Sequence, residues 1–193
     1  MGRPREFDID LAIFKASELF WRKGFDHTSV QDLTEAMGIA PPSFYAAFGN
    51  KEALFLRVVE AYQKTQAELL VDALGQPTTR EVVARLLEGF ADQLTQSGRA
   101  PGCLVMNSAL PISETHSFRR LFAEQREMFR QRLQQRLDRA KTEEGALPVE
   151  FNPDELSRLV VAVIWGFAVE AQSGANRETL RRTAAAFLAL WPG

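Results

Sequence analysis

The sequence is poor in the residues on which most catalytic and metal sites depend. It has one cysteine and two histidines in 193 residues, and no glycine-rich phosphate loop. One cysteine cannot form an internal disulfide, and His27 and His116 stand in separate segments without further zinc ligands or partners for a catalytic triad. We therefore predict no enzyme activity, no metal and no cofactor. The cysteine usage fits a reducing compartment, the cytoplasm.

Long hydrophobic runs and an excess of one charge are also missing. The longest uncharged apolar run, LVVAVIWGFAV (159–169), is shorter than the roughly 20 residues that span a bilayer, so we predict no membrane partner. No signal peptide pattern opens the sequence. The net charge of -2 gives no indication of a nucleic-acid partner. The arginines of residues 119–139 alternate with acidic residues, which is typical of a solvated helix face.

Helical signals are present along the whole chain. Residues 9–21, IDLAIFKASELFW, place apolar side chains at helical spacing. Capping residues predict the starts of further helices, at Thr28 with Gln31, Asn50, Thr78 with Glu81, Asn152 and Asn176. Glycines predict helix ends, at Gly24, Gly38, Gly49 and Gly75. No segment has a convincing strand pattern. The fold predicted is all-α with about nine helices.

The segment GIAPPSFYAAF (38–48) predicts a specific kind of helix. Its prolines suit a first helical turn, where their missing N–H groups would have no intrahelical partner. With the helix before it, joined by a tight turn, it describes a helix-turn-helix, whose later helix lies in the DNA major groove. Small side chains allow close approach, so Ala46 and Ala47 could touch thymine methyl groups while Ser43 and Tyr45 reach bases or phosphates. Phe44 and Phe48 would anchor the helix from behind.

The longer segment TSVQDLTEAMGIAPPSFYAAFGNKEALF (28–55) resembles the DNA-binding signature of the tetracycline-repressor (TetR) family. The resemblance covers about residues 8–60 and implies a helix-turn-helix domain over residues 1–50. A fourth helix from residue 51 would link it to a ligand-binding and dimerisation domain over residues 51–193. It also implies a homodimer that binds near-palindromic double-stranded operator DNA and releases it when a small-molecule inducer enters the C-terminal domain.

The residues expected to contact DNA follow from this resemblance and from the helix-turn-helix reading. They are Arg3, Arg5, Thr28, Ser29, Pro42, Ser43, Tyr45, Ala46 and Lys51. Many relatives carry lysine and histidine in the recognition helix, and this chain does not, so base readout should depend on hydroxyls, apolar contacts and DNA shape. Arg3 and Arg5 form either an arm that contacts DNA or a solvated terminus.

The run LVVAVIWGFAV predicts a helix buried on every side. With the alanine-rich last helix it would form a four-helix interface between two subunits, through Val161, Trp165, Ala168, Leu180, Ala184 and Phe187. The alternative is a central core helix in a monomer.

The second domain has more aromatic residues than three-helix packing needs, which predicts an apolar ligand pocket. Its expected lining is Phe90, Cys103, Met106, Asn107, Phe122 and Trp165. The Gly-Cys-Leu segment at Cys103 resembles a TetR subgroup in which some members sense electrophiles or oxidants through that thiol. A helix N-terminus there would lower the thiol pKa. A lone cysteine in an apolar stretch is otherwise an inert packing residue.

The function predicted is a DNA-binding transcriptional regulator, a repressor responsive to a ligand or electrophile. The alternative is an α-helical small-molecule-binding or adaptor protein whose helix-turn-helix does not bind DNA.

Overall fold

The computed structural model describes residues 7–109 and 116–192. Within these ranges the chain forms nine α-helices and no strand, which confirms the predicted all-α class. The helices are α1 (Ile9–Lys23), α2 (Val30–Met37), α3 (Pro41–Phe48), α4 (Lys51–Leu74), α5 (Thr79–Leu94), α6 (Leu104–Ala109), α7 (His116–Thr142), α8 (Pro153–Gln172) and α9 (Arg177–Ala189). No described helix has the length and apolar character needed to cross a membrane.

Most of the predicted helix starts are confirmed, with one correction. Thr78 and Glu81 form the expected capping box, and the side chains of Asn50, Asn152 and Asn176 each accept a hydrogen bond from the first turn of the helix that follows. The capping box expected at Thr28 and Gln31 is wrong. The box is formed one residue later, by Ser29 and Asp32, because Thr28 is buried and its hydroxyl bonds to Gly24 instead.

The described residues divide into two compact units. The first contains residues up to Thr65 and the short helix α6, and the second contains residues 66–102 and the described residues from 116 onwards. The division therefore falls within α4, the helix that the sequence assigns as the link between domains.

The first unit is built around aromatic rings. The ring of Phe55, on α4, lies 5.0 Å from that of Phe20 and 4.9 Å from that of Phe25, between centroids. All three side chains are buried. α1 packs against α2 and against α6, and α2 packs against α3. This core fixes the two short helices of the predicted DNA-binding motif.

The second unit packs α7 against α8 and α5 against both α8 and α9. Gly89 allows α4 and α5 to approach closely, since a Cβ atom there would overlap the side chain of Leu69. Two arginines of α7 are buried and paired. Arg130 bonds to Asp154 at 2.6 Å, at the start of α8, and Arg136 bonds to Glu144 at 3.2 Å. The Arg130 pair holds α7 against α8, while Arg136 also donates to the carbonyls of Gln76 and Pro77, just before α5, at 3.3 and 3.0 Å. A buried guanidinium needs such partners for its N–H groups.

Candidate functional site

The turn between α2 and α3 has the geometry of a helix-turn-helix. Gly38 ends α2 in the left-handed conformation, with φ of 72°, which glycine adopts at no steric cost. Its N–H donates to the carbonyl of Thr34 at 2.9 Å, and the N–H of Ile39 donates to the same carbonyl at 3.1 Å. The chain then enters α3 at Pro41. The predicted tight turn at Gly38 is confirmed.

The first turn of α3 offers few N–H groups to a ligand. Pro41 and Pro42 have none, and Ser43 and Phe44 both donate to the carbonyl of Ala40, at 3.0 and 3.1 Å. Ala40 provides no side-chain cap. This helix start therefore differs from the usual anion site at a helix N-terminus, where free N–H groups bind a phosphate.

The two faces of α3 are clearly separated. Phe44, Ala47 and Phe48 are buried against the first unit, which confirms the predicted anchoring role of the two phenylalanines. The thymine contact predicted for Ala47 is wrong, because its side chain faces inward. The solvent face carries the residues Pro41, Pro42, Ser43, Tyr45 and Ala46. The predicted base-reading residues thus lie together on one exposed surface.

Tyr45 is the largest side chain of this surface, with 53% of its area exposed. Its ring packs edge-on against Phe44, at 5.4 Å between centroids and an interplanar angle of 89°. A ring fixed on one side by a buried neighbour loses little further freedom on binding. Its proposed phosphate contact remains a prediction.

At the start of α2, the structure separates two residues that the sequence groups together. Ser29 is exposed and caps the helix, accepting from the N–H of Asp32 at 3.0 Å. Thr28 is 0% exposed, and its hydroxyl donates to the carbonyl of Gly24 at 2.7 Å. The DNA contact predicted for Thr28 is therefore wrong, since its side chain completes the α1–α2 turn and has no surface left for DNA.

The cationic groups near α3 are held by other groups of the protein. The Lys51 ammonium donates to the carbonyl of Phe25 at 3.0 Å and lies 4.1 Å from the centre of that ring. Lys23 pairs with Asp32 at 2.7 Å. An ammonium has three N–H groups, so Lys51 keeps donors for a phosphate and stays a predicted contact. Arg3 and Arg5 lie outside the described residues.

Asp32 combines two roles at this end of α2. Its carboxylate accepts from the Lys23 ammonium and from the N–H and hydroxyl of Ser29, at 2.7, 2.8 and 2.7 Å. These hydrogen bonds, that of Lys23 first, hold the pKa of Asp32 well below its usual value of 3.8. The carboxylate is therefore ionised at neutral pH and fixes the entry into α2.

Cys103 lies in the first unit, just before α6. Its sulfur accepts a hydrogen bond from the Tyr62 hydroxyl at 3.2 Å, and the Tyr62 ring lies edge-on to Trp21 at 5.3 Å. Burial raises the pKa of the Cys103 thiol above its usual value, against the lowering effect of the bonds from Tyr62 and two backbone N–H groups. The lowered thiol pKa expected from the sequence is therefore wrong, because desolvation outweighs the helix N-terminus.

The other residues of the predicted ligand pocket are divided between the two units. In the second unit, Phe90 packs edge-on against Phe129, and Phe122 stacks with Phe118. Trp165 is partly exposed, with the guanidinium of Arg126 at 4.9 Å from its ring. In the first unit, Met106 is buried in α6, and the side chain of Asn107 lies outside the described atoms. The shared pocket remains a prediction.

A groove in the second unit was not anticipated. It has a volume of about 800 Å³ and is lined by residues of the α5 end and the α8–α9 turn. Asp92 lies in it and pairs with Arg177 and Arg181. The hydrogen bond from Arg177 is the main cause that lowers the pKa of Asp92. The charge of Asp92 is thus balanced within the protein by Arg177 and Arg181.

The predicted dimer residues divide by burial. Ala168, Leu180 and Ala184 are buried within the protomer, so the prediction that they face a partner is wrong. They lie on α8 and α9, helices that pack against each other and against α5. The partly exposed members are Val161, Trp165 and Phe187. The sequence missed the outward face of α8, where Leu159 and Val169 are 50% and 48% exposed.

The chain is similar to known bacterial regulators. A family profile described as bacterial regulatory proteins, tetR family, matches residues 13–58, which include α2 and α3. The HTH-type transcriptional repressor ComR of Escherichia coli (strain K12) is 30% identical over 196 residues, covering 99% of this chain and 92% of that protein. The HTH-type transcriptional repressor BdcR of the same strain is 43% identical over 106 residues, covering 54% of each chain.

A solved structure extends the similarity to the whole fold. A cysteine mutant of the TetR family transcriptional regulator CifR, complexed with 26bp double-strand operator DNA, is 35% identical to this chain. The TM-score is 0.90, over 98% of this chain and 100% of that chain. The predicted resemblance is confirmed: the chain belongs to the tetR family of bacterial regulatory proteins and is a DNA-binding transcriptional regulator, not an enzyme.

Proposed function

We propose that two copies of this chain bind a near-palindromic operator and repress the adjacent gene in the cytoplasm until a small molecule releases them. The observation that carries the proposal is the exposed surface of α3. Ser43, Tyr45 and Ala46 point outward from a helix whose opposite face is fixed by Phe44 and Phe48. Ser29 lies exposed immediately before α2, in the same compact unit, and its hydroxyl suits a phosphate oxygen.

The outward face of α8 supports the homodimer. Leu159, Ala162, Gly166 and Val169 are exposed and recur at helical spacing, so they form one apolar stripe. A Cβ atom added at Gly166 would meet nothing within 4 Å. Glycine inside a helix costs roughly 0.5–1 kcal/mol relative to alanine, and nothing in the protomer requires it here. A closely approaching helix from a second copy would explain both the stripe and the glycine.

The position of α6 supports release by a signal. This helix belongs to the same compact unit as α2 and α3, and it packs against α1. A ligand that shifts α6 would therefore disturb the first helix of the DNA-binding unit. Such a ligand acts only through its different affinity for the DNA-bound and free states.

Two kinds of inducer fit the residues around α6. A thiol-reactive compound, such as a quinone, would form one S–C bond with Cys103, and the thiol proton would pass to a quinone oxygen. An apolar ligand would instead bind without a covalent bond. Cys103→Ser separates them, because it abolishes the response to electrophiles and leaves the response to an apolar ligand intact. If operator binding by the wild type is unaffected by electrophiles and oxidants, Cys103 is a packing residue.

The test of DNA binding uses the intergenic DNA beside the protein's own gene. Fluorescence anisotropy should show specific binding, and Tyr45→Phe should weaken it by about 1–2 kcal/mol, as loss of a hydrogen bond to a charged phosphate would. The matched control is Tyr62→Phe, measured without inducer. It removes the same atom from the only other tyrosine, which lies partly buried on α4. Equal affinities for wild type and Tyr45→Phe would remove Tyr45 from the interface.

A further inference from the structure

The two helices of the DNA-binding motif contain no cationic side chain. Neither VQDLTEAM of α2 nor PPSFYAAF of α3 includes lysine or arginine. The one side-chain amide, that of Gln31, donates to the carboxylate of Glu35 at 2.9 Å on the same helix. The usual reader of guanine is an arginine or lysine that donates to its O6 and N7 atoms, and adenine is usually read by an amide. α3 itself provides neither group.

The exposed surface of α3 is instead apolar, with two hydroxyl groups. Pro42 and Ala46 stand four residues apart, so they are neighbours on one face of the helix. Ser43 and Tyr45 flank them. Pro41 and Pro42 have no N–H groups, and the N–H groups of Ser43 and Phe44 bond to Ala40. Apart from the two hydroxyls, this face therefore has no hydrogen-bond donor that could reach a base edge.

Three basic residues of the first unit are engaged within the protein. Besides Lys23 with Asp32 and Lys51 with the Phe25 carbonyl, the guanidinium of Arg57 lies 5.7 Å from the centre of the Phe48 ring. In each contact the cationic group is already engaged by another group of the first unit. Sequence-specific contacts from this helix must therefore come mainly from apolar atoms.

We propose that α3 reads thymine methyl groups in the major groove through the apolar surface of Pro42 and Ala46. The proposal rests on the proposed function and specifies the operator that this function requires. Only thymine presents a methyl group in the major groove, and a small apolar side chain is its natural contact. The hydroxyls of Ser43 and Tyr45 can donate or accept and so add little preference between bases.

The experiment removes the methyl groups from the DNA and leaves its base pairing unchanged. The protein first selects duplexes from a random pool, and the selected sequence is then made with deoxyuridine in place of thymidine at single half-site positions. Loss of one contacted methyl should lower affinity by about 4-fold, and loss of one in each half-site by about 15-fold. Deoxyuridine outside the half-sites is the matched control and should have no effect.

The protein side of the contact is tested by Ala46→Gly. At the thymine that Ala46 contacts, this variant should bind the thymine and uracil duplexes with nearly equal affinity, because the partner methyl is gone; the preference at a thymine contacted by Pro42 should remain. Ala36→Gly, at an exposed alanine of α2, carries the same backbone change and should keep the wild-type preference for thymine. The affinity of the wild-type protein for the uracil duplexes is a separate test, which does not depend on how well either variant folds.

The outcomes separate this proposal from the proposed function. Suppose that a duplex is selected and bound tightly, and that replacing every half-site thymine by uracil does not lower the affinity. Thymine readout is then wrong, while the proposed DNA binding is supported. Selected half-sites without thymine would also overturn it. If no duplex is selected at all, both proposals fail. A preference for thymine that disappears in Ala46→Gly supports the contact.

Discussion

The hydroxyl of Tyr62, on α4, donates a hydrogen bond to the sulfur of Cys103 over 3.2 Å, across 41 positions of sequence. The same tyrosine ring meets Trp21 of α1 edge-on. One side chain thus connects three segments of the first unit: α1, α4 and the start of α6. The only thiol of the chain is therefore sensitive to any change in the packing of these helices.

Removing this hydroxyl should make the thiol harder to ionise. The bond from Tyr62 lowers the pKa of Cys103, against the larger effect of burial, so Tyr62→Phe should raise that pKa further. The rate of alkylation by iodoacetamide, followed by mass spectrometry as a function of pH, measures this directly because the chain has one cysteine. Tyr45→Phe should leave the profile unchanged. Faster alkylation of Tyr62→Phe at every pH would contradict the assignment.

Thr28 and Ser29 should have separate effects on folding and binding. Thr28→Val removes a buried hydrogen bond and should reduce the free energy of unfolding by about 1–2 kcal/mol without changing the operator affinity of the folded protein. Ser29→Ala removes a helix cap at a cost of about 1 kcal/mol and should also weaken operator binding. Denaturant titration and anisotropy provide the two measurements. Thr28 would return to the DNA interface if Thr28→Val folded normally and bound tenfold more weakly.

The outward face of α8 should control dimerisation. Leu159→Glu and Val169→Glu would each bury an unpaired carboxylate between subunits, which should raise the dimer dissociation constant by at least about 100-fold. Val149→Glu, at a side chain that is 83% exposed outside the helices, is the control. Analytical ultracentrifugation distinguishes monomer from dimer. A wild type that is monomeric at micromolar concentration would rule out the proposed dimer.

Gly166→Ala should have opposite effects on the protomer and the dimer. An added Cβ meets open space in the protomer and favours the helix, so the unfolding of separated subunits should cost roughly 0.5–1 kcal/mol more. The same atom would obstruct close helix approach and weaken association. The two effects are resolved by measuring unfolding at several protein concentrations. Tighter association of Gly166→Ala would show that this glycine is not at the subunit contact.

Acid should destabilise the start of α2 through Asp32. Its pKa in the folded protein lies below the ordinary value of 3.8, so the unfolded chain takes up this proton first as the pH falls. The stability contributed by Asp32 is thus complete above about pH 4 and is lost as the pH falls towards the folded pKa. Asp32→Asn should show a smaller loss of unfolding free energy between pH 6 and pH 3 than wild type. Glu35→Gln, which affects a bond to the neutral Gln31 amide, is the control.

The sequence predicts features that depend on neighbouring residues. Helix starts at Asn50, Thr78 and Asn152 and the turn at Gly38 follow from local capping and backbone preferences, and all are confirmed. At Thr28 the local pattern is ambiguous, because two consecutive hydroxyl residues can each cap a helix. The choice is made by burial, since the carbonyl of Gly24 needs the threonine as a donor.

Features that depend on distant residues could not be predicted in the same way. The 159–169 run of α8 is apolar on every side, so its periodicity does not show which face meets α5 and which meets solvent. For this reason the sequence assigned Ala168 to the dimer contact and missed Leu159. The bonds between Tyr62 and Cys103, and between Lys51 and Phe25, join residues far apart in sequence and leave no local pattern.

The division of the chain within α4 limits how its DNA-binding unit can be exchanged with that of another regulator. A chimera joined after residue 50 would omit Phe55, whose ring fills the space between Phe20 and Phe25, and would omit α6, which packs on α1. A functional transplant would have to carry two separate pieces of chain, residues up to 65 and α6. The first compact unit is therefore contiguous in space and discontinuous in sequence.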